Sequence, residues 1–247
     1  MKYLMTFSYD GTSYNGYQKQ PNKNTVQDIL EDVLTRINSN NEVNIVASGR
    51  TDSGVHAINQ KAHFVLDKEV ELSKLKDSIN KMLPASIYVK DIKIVDDDFH
   101  ARFNSKRKTY TYKINIGEYN PLEVNYIYQY NKKLDIDKMR EAIKYFIGEH
   151  DFTSFTKASE DKETYIRIIY DASISENNSI ISITFTGNGF LRYMVRNMVG
   201  VLIEIGSNKI KVSDVQDILE KKDRREAGIT APSSGLYLMD VEYENEN

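Results

Sequence analysis

The chain has no cysteine. That excludes disulfides, thiolate nucleophiles and Cys-ligated zinc or iron–sulfur centres. It fits a reducing compartment such as the cytoplasm. No apolar run approaches the length that a membrane span needs. The N-terminus, Met1 to Gly16, alternates apolar and polar residues and reads as a strand rather than a signal peptide. The four histidines, His56, His63, His100 and His150, have no metal-ligand spacing. Each is expected to be structural, and no metal is expected. A GxxxxGK[ST] phosphate loop, a GxSxG elbow and an HExxH motif are all absent. These absences fit a reaction that needs neither redox chemistry nor ATP, and no cofactor is expected.

No sign of charge dominates: 33 basic and 36 acidic residues leave a net charge of −3 over 247 residues. A nucleic-acid partner usually demands a basic surface, so the total argues mildly against one. The distribution points the other way. Between Arg102 and Lys113 stand Arg102, Lys106, Arg107, Lys108 and Lys113, with no acid among them. Ile180 to Ile203 carries Arg192 and Arg196 and again no acid. Acidic residues gather at Asp96-Asp97-Asp98 and from Asp240 to Glu246, where they read as solvated faces. A basic segment that also holds Tyr110 and Tyr112 suits phosphate contact with base stacking. Composition is that of a globular protein, 40% apolar and 28% charged. The length allows one large domain or two small ones.

The hydrophobic periodicity predicts a β-α-β-β-α-β order in the first half. Lys2–Tyr9 reads as a strand. Thr25 opens a helix with Asp28 as a capping-box variant, and Val26, Ile29, Leu30, Val33, Leu34 and Ile37 share its apolar face. Val43–Ala47 and Lys61–Leu66 read as strands, Ser73 caps a helix to Met82 that Pro84 ends, and Ile87–Val95 is a strand. This is the ferredoxin-like split βαβ pattern. The second half repeats it less cleanly. Strands are expected at Thr109–Ile116, Tyr165–Ser173, Ser179–Thr186 and Leu236–Tyr243, with a turn at Asn177-Asn178. Helices are expected at Ile136–Ile147, ended by Gly148, at Phe190–Ile205 and at Val212–Glu220. The expected fold class is α+β, two ferredoxin-like units with antiparallel sheets. Residues 1–104 form the N-terminal domain with the Asp52 turn. Residues 105–247 form the C-terminal domain that completes the cleft.

The run Gly49-Arg50-Thr51-Asp52-Ser53-Gly54-Val55-His56-Ala57 sets one carboxylate between two strand-like segments, beside a cation and two hydroxyls. Asp-Ser-Gly alone is ordinary turn chemistry. A turn needs neither Arg50 nor the Val-His-Ala that follows, so the nine-residue run reads as the setting of a single catalytic acid. Tyr9 to Gln20 is a polar loop with three tyrosines and two glycines, suited to approaching a ligand backbone. Tyr110 and Tyr112, two apart on a strand, share a face; packing on a half-buried sheet accounts for Tyr112. Gly187-Asn188-Gly189 lacks the third glycine of a dinucleotide fingerprint and reads as the opening of a buried helix with two outward arginines. Gly228 to Leu238 is a small-residue loop entering the last strand.

These segments together resemble the tRNA pseudouridine synthase A family. The Asp52 run matches G-R-T-D-x-G-V-H-A, and Tyr9 to Gln20 matches Y-D-G-T-x-[FY]-x-G-[WY]-Q-x-Q. The Tyr110 strand matches R-x-Y-x-Y with Lys108 in place of Arg, Phe185 to Arg196 matches F-x-G-x-[GS]-F-L-x-x-M-V-R, and Ala231 to Leu238 matches A-P-x-x-G-L-x-L. The departures (Tyr14 for Phe, Tyr17 for Trp, Lys108 for Arg) keep aromatic or cationic character. The resemblance implies the pseudouridine synthase fold and an isomerase. It implies conversion of uridine to pseudouridine in the anticodon stem-loop of tRNA, at positions thirty-eight to forty, by a cytoplasmic homodimer. It gives Asp52 the catalytic role: attack on the sugar C1′ or the base, or removal of a C2′ proton. Arg50 helps displace the base or holds the backbone. By the same resemblance Tyr110 would stack on the flipped base or relay the C5 proton, Leu236 would lie against the base, and Arg196 would pair with the Asp52 carboxylate and keep it ionised. Two rivals stand beside this reading. One is an RNA-binding module without chemistry, which has no need of a carboxylate facing phosphates. The other is a glycosidase, which needs a pair of carboxylates where these segments offer one good one, Asp10 standing too solitary for an acid catalyst.

Overall fold

The computed structural model describes residues 1–21, 24–157 and 164–244. The last residues of the acidic tail, 245–246, lie outside them. The chain divides into two units, Met1–Lys106 with Tyr237–Asn247, and Arg107–Leu236. The last strand, which the sequence pattern attaches to the C-terminal half, belongs to the first unit.

In the first unit the order is β1 (Lys2–Tyr9), α1 (Val26–Ile37), β2 (Val46–Ala47), β3 (His56–Val65), α2 (Leu72–Met82) and β4 (Ile87–Ile94). This is the expected split βαβ. Strand β1 lies between β3 and β4 and is antiparallel to both. A strand with neighbours on both edges buries most of its residues: Tyr3, Leu4, Met5, Phe7 and Tyr9 are all in the core. The outer edge of β3 is shared. Its start pairs in parallel with the last strand at Tyr237↔His56 and Leu238↔Ala57. Its far end pairs with β2 at Val46↔His63 and Ala47↔Ala62. The pairing of β2 is therefore two residues long, against five expected. Strand β3 starts five residues before Lys61 because Val-His-Ala of the Asp52 run is already extended chain.

Helix α1 starts as expected. Thr25 accepts the Asp28 amide (3.2 Å) and its own hydroxyl donates to the Asp28 carboxylate (2.6 Å). The shorter Asp takes the hydroxyl where the Glu of a capping box would reach back to the N-cap amide. Its apolar face buries Val26, Leu30, Val33 and Leu34 and leaves Ile29 and Ile37 half-buried. Helix α2 is capped at Glu71 rather than Ser73, and Ser73 donates to the Glu71 side chain instead.

The remaining elements are β5 (Ser105–Asn115), β6 (Tyr128–Gln129), α3 (Ile136–Ala142), β7 (Gly148–Asp151), β8 (Ile166–Asn177), β9 (Ile180–Gly187), α4 (Met194–Gly206), α5 (Asp214–Lys221) and β10 (Leu236–Tyr243). The second unit's sheet runs β5-β9-β8-β7, antiparallel throughout, with β6 parallel to β5. Three expectations are corrected here. The helix from Ile136 narrows to a 3₁₀ turn over Ile143–Phe146. The β8–β9 turn sits at Asn178 and Ser179 (φ +50° and +64°), one residue later than expected, because both central positions need positive φ. Helix α4 starts four residues after Phe190, because Tyr193 adopts φ +64° and a left-handed residue cannot continue a right-handed helix. The core packs Phe146 edge-on against Phe155 at 5.3 Å and buries Tyr112, Phe152 and Phe185 completely.

Candidate active site

The Asp52 turn joins Ser48 to β3, and it is fixed from both ends. At its start, Gln60 donates to the Gly49 carbonyl (3.1 Å). The Gln60 oxygen meanwhile accepts from the Ser48 hydroxyl (2.7 Å) and the Lys61 amide (3.2 Å). At its centre, the Thr51 hydroxyl meets the Tyr9 hydroxyl at 2.8 Å, and the Thr51 carbonyl accepts the Tyr17 amide at 3.1 Å. Ser53 donates to the Tyr14 carbonyl (3.0 Å), and the Val55 amide closes the turn on the Asp52 carbonyl (3.2 Å). Thr51 is buried, Asp52 half-buried and Arg50 exposed. A carboxylate at a partly covered position on a stiff turn can be aimed without reorganisation at the moment of reaction.

The Tyr9–Gln20 loop is the other half of this construction, and its glycines approach the protein's own backbone. A Cβ on Gly11 would stand 2.0 Å from the Val55 carbonyl oxygen. On Gly16 it would stand 2.9 Å from the Thr51 carbonyl, and φ there is +93°, which side chains resist. The loop is itself anchored: the Asp10 amide donates to the Ser86 carbonyl (2.9 Å), and the Tyr14 hydroxyl meets the Ser86 hydroxyl. The Gly11 amide donates to His56 Nδ1 at 3.1 Å. A nitrogen accepting there carries no proton, so the nearby Asp10 Oδ1 (3.2 Å) is not its ion-pair partner. Asp10 instead accepts the Thr12 amide (2.9 Å) and hydroxyl (2.6 Å).

Tyr9 and Tyr17 lie with Phe7 in one buried aromatic cluster, ring centroids 6.0 to 6.4 Å apart. Burial pushes the Tyr9 phenol up to about 12, against smaller opposing effects from its contacts with Thr51 and Gln60. It is a neutral hydrogen-bonding group at any working pH. Tyr9 and Gln60 are the residues that sequence reasoning missed. Gln60 stands between Asn59 and Lys61 in a strand rich in polar residues, and nothing in the sequence sets it apart.

The second unit places Tyr110, Arg196 and Leu236 around the Tyr112 strand. Tyr110 is buried on β5, its ring edge-on to Phe190 at 5.0 Å. Tyr112 is fully buried and donates to the Pro232 carbonyl (2.7 Å), the packing role expected of it. Arg196, in the first turn of α4, donates from Nε to the Ala231 carbonyl (2.7 Å), while the Ala231 amide donates to the Arg196 carbonyl (3.1 Å). This reciprocal pair holds the 228–235 loop against α4. Its guanidinium lies 5.5 Å from the Tyr193 ring centroid, and that of Arg192 lies 4.8 Å from it. Arg192 is exposed as expected, whereas Arg196 is half-buried. Leu236 follows the 3₁₀ turn Ser233–Gly235 and is buried.

Of the basic segment, Arg102, Lys106 and Arg107 are exposed. Lys106 pairs with Glu244 at 2.7 Å, and Arg107 stacks over Tyr170. All four histidines have hydrogen-bond partners. Among the described residues, no helix is long and apolar enough to cross a membrane.

Asp52 thus stands on a braced turn carried by a split βαβ sheet. The chain belongs to the tRNA pseudouridine synthase family, whose pattern it matches over residues 5–104 and 142–244. Its relatives there carry the narrower name tRNA pseudouridine synthase A. One from Caldicellulosiruptor bescii is 44% identical, over 97% of this chain and 98% of that one. One from Exiguobacterium sp. is 46% identical over 96% of each, and one from Limosilactobacillus reuteri 42% identical over 98% and 96%. A solved chain titled "Crystal Structure of a Cbf5-Nop10-Gar1 Complex" aligns with 98% of this chain and 50% of its own, at 13% identity and TM-score 0.38, a likeness too weak to carry argument. The protein is an isomerase that forms pseudouridine in tRNA.

Proposed function

We propose that this isomerase acts on the anticodon stem-loop of tRNA, at positions thirty-eight to forty, with Asp52 as its catalytic carboxylate. The observation that carries the reading is the Asp52 turn, held by hydrogen bonds with Tyr9, Tyr17 and Gln60. A plain surface turn has no use for that much fixation. Isomerising uridine leaves its composition unchanged: the N1–C1′ bond breaks, the uracil turns, C5 joins the same ribose carbon and gives up its proton, and N1 takes one up. One carboxylate therefore suffices, attacking C1′ or the base or taking a C2′ proton. Arg50 is exposed beside it and suits contact with the RNA backbone. Tyr110 offers an aromatic ring to the displaced base, Leu236 an apolar contact, and Arg196 a cation already fixed through its Nε. The enzyme works in the cytoplasm as a homodimer, and no cofactor enters the reaction.

The reading of the target is tested by mapping pseudouridine on an unmodified tRNA transcript bearing uridines inside and outside the anticodon stem-loop. The expected product carries pseudouridine at thirty-eight to forty alone. Modification confined to another arm contradicts the anticodon assignment while leaving the family intact.

A further inference from the structure

We infer that Tyr9 is a positioning residue for the reaction, acting on Asp52 through the Thr51 hydroxyl. The inference rests on the proposed catalytic role of Asp52. Tyr9 sits at the end of β1, paired with Ala57 on β3 and Ile87 on β4. Its ring is buried and packs against both Phe7 and Tyr17, which also pack on each other, so its hydroxyl has little freedom. The Gln60 oxygen is taken by Ser48 and Lys61, which turns the Gln60 amide nitrogen toward Gly49 and the Tyr9 hydroxyl. The Tyr9 hydroxyl meets the Thr51 hydroxyl at 2.8 Å, and either can donate. The chain of contacts runs from a central strand to the residue beside Asp52 with no exposed link: Tyr9, Gln60 and Thr51 are all buried. Thr51 is gripped twice, by its hydroxyl and by its carbonyl. The carbonyl contact fixes the backbone, and the hydroxyl contact fixes its rotation about that point. Loss of the hydroxyl contact lets the turn pivot while leaving it folded, and carboxylate aim suffers before substrate affinity does.

Single-turnover and steady-state kinetics on tRNA test this with Tyr9→Phe, Thr51→Val, the double variant and Thr51→Ser. Tyr9→Phe keeps the ring and removes only the hydroxyl, so the core stays filled. The expected result is a kcat loss of roughly tenfold to a hundredfold in each single variant, with KM within about twofold. The double variant is expected to lose no more than the worse single one, because both remove the same contact. Thr51→Ser, which keeps the hydroxyl, is expected to restore kcat. A Tyr9→Phe enzyme with wild-type kcat overturns the inference, as do losses that multiply in the double variant or fall on KM. Asp52→Asn measured alongside separates the two readings. If it turns over normally, the catalytic assignment has failed. If it is inactive while Tyr9→Phe is at full speed, only the positioning role has failed.

Discussion

His63 accepts the Ala101 amide on Nδ1 at 3.0 Å, and its ring stands edge-on to His100 with centroids 5.1 Å apart. Burial first, and then the proximity of His100 and Lys2, lower its pKa to about 4. In the unfolded chain it returns to about 6.5. Above pH 6.5 both states are neutral at this site, and nothing is lost. Between pH 6.5 and 4 the unfolded chain takes up a proton that the folded one refuses, so stability falls as pH falls. Below 4 the effect levels off. Thermal unfolding measured from pH 7.5 to 4 is expected to show this decline, and His63→Asn, which keeps an acceptor for Ala101, is expected to flatten it. An unchanged slope in the variant excludes His63 as the cause. At this scale the sequence marks the Asp52 run as unusual but not the residues that brace it. The run around Asp52 announces itself by residues that a turn does not need. Tyr9 and Gln60 reach the turn across stretches of sequence that no local pattern marks.

Helix α4 shows what an element needs from its neighbours. Met194, Val195, Met198, Val199, Leu202 and Ile205 are buried, and so is Asn197, which donates to the Phe155 carbonyl (2.7 Å) and accepts from Arg224 (3.0 Å) and Thr230 (2.7 Å). Gly200 has no room for a side chain: a Cβ there would lie 1.9 Å from the Ile229 carbonyl oxygen. Gly200→Ala gains helix propensity of about 1 kcal/mol, but it pushes α4 off the 228–235 loop. The expected net loss is about 2 kcal/mol, a Tm lower by roughly 4–8 °C in calorimetry. A Tm equal to or above wild type contradicts this packing. The elements were readable in proportion to their periodicity. Strands β1 and β10 fall where alternation puts them, at Lys2–Tyr9 and Leu236–Tyr243. The start of α4 was not readable, because Phe190-Leu191-Arg192-Tyr193 has a helical pattern of apolar and basic residues while Tyr193 has left-handed backbone. The helix from Ile136 gave no sign of its 3₁₀ end for the same reason: the apolar spacing is equally served by either winding.

For the molecule as a whole, the split βαβ of the first unit was visible because each element carries its own periodicity. The return of β10 to β3 was not, since strand pairing over some 180 residues leaves no local trace. The Tyr9–Gln20 loop is the more instructive case. Its glycines and tyrosines look like a ligand-binding loop, yet Gly11, Gly16 and Tyr17 spend their contacts on the Asp52 turn. Two sequence segments about forty residues apart are one structural device, with Asp52 on its turn. The direct measurement is tritium release from tRNA labelled at uracil C5, with wild type against Asp52→Ala. The account predicts release by the wild type and none above background by the variant, which still binds tRNA. Release by Asp52→Ala at a rate near wild type would contradict it.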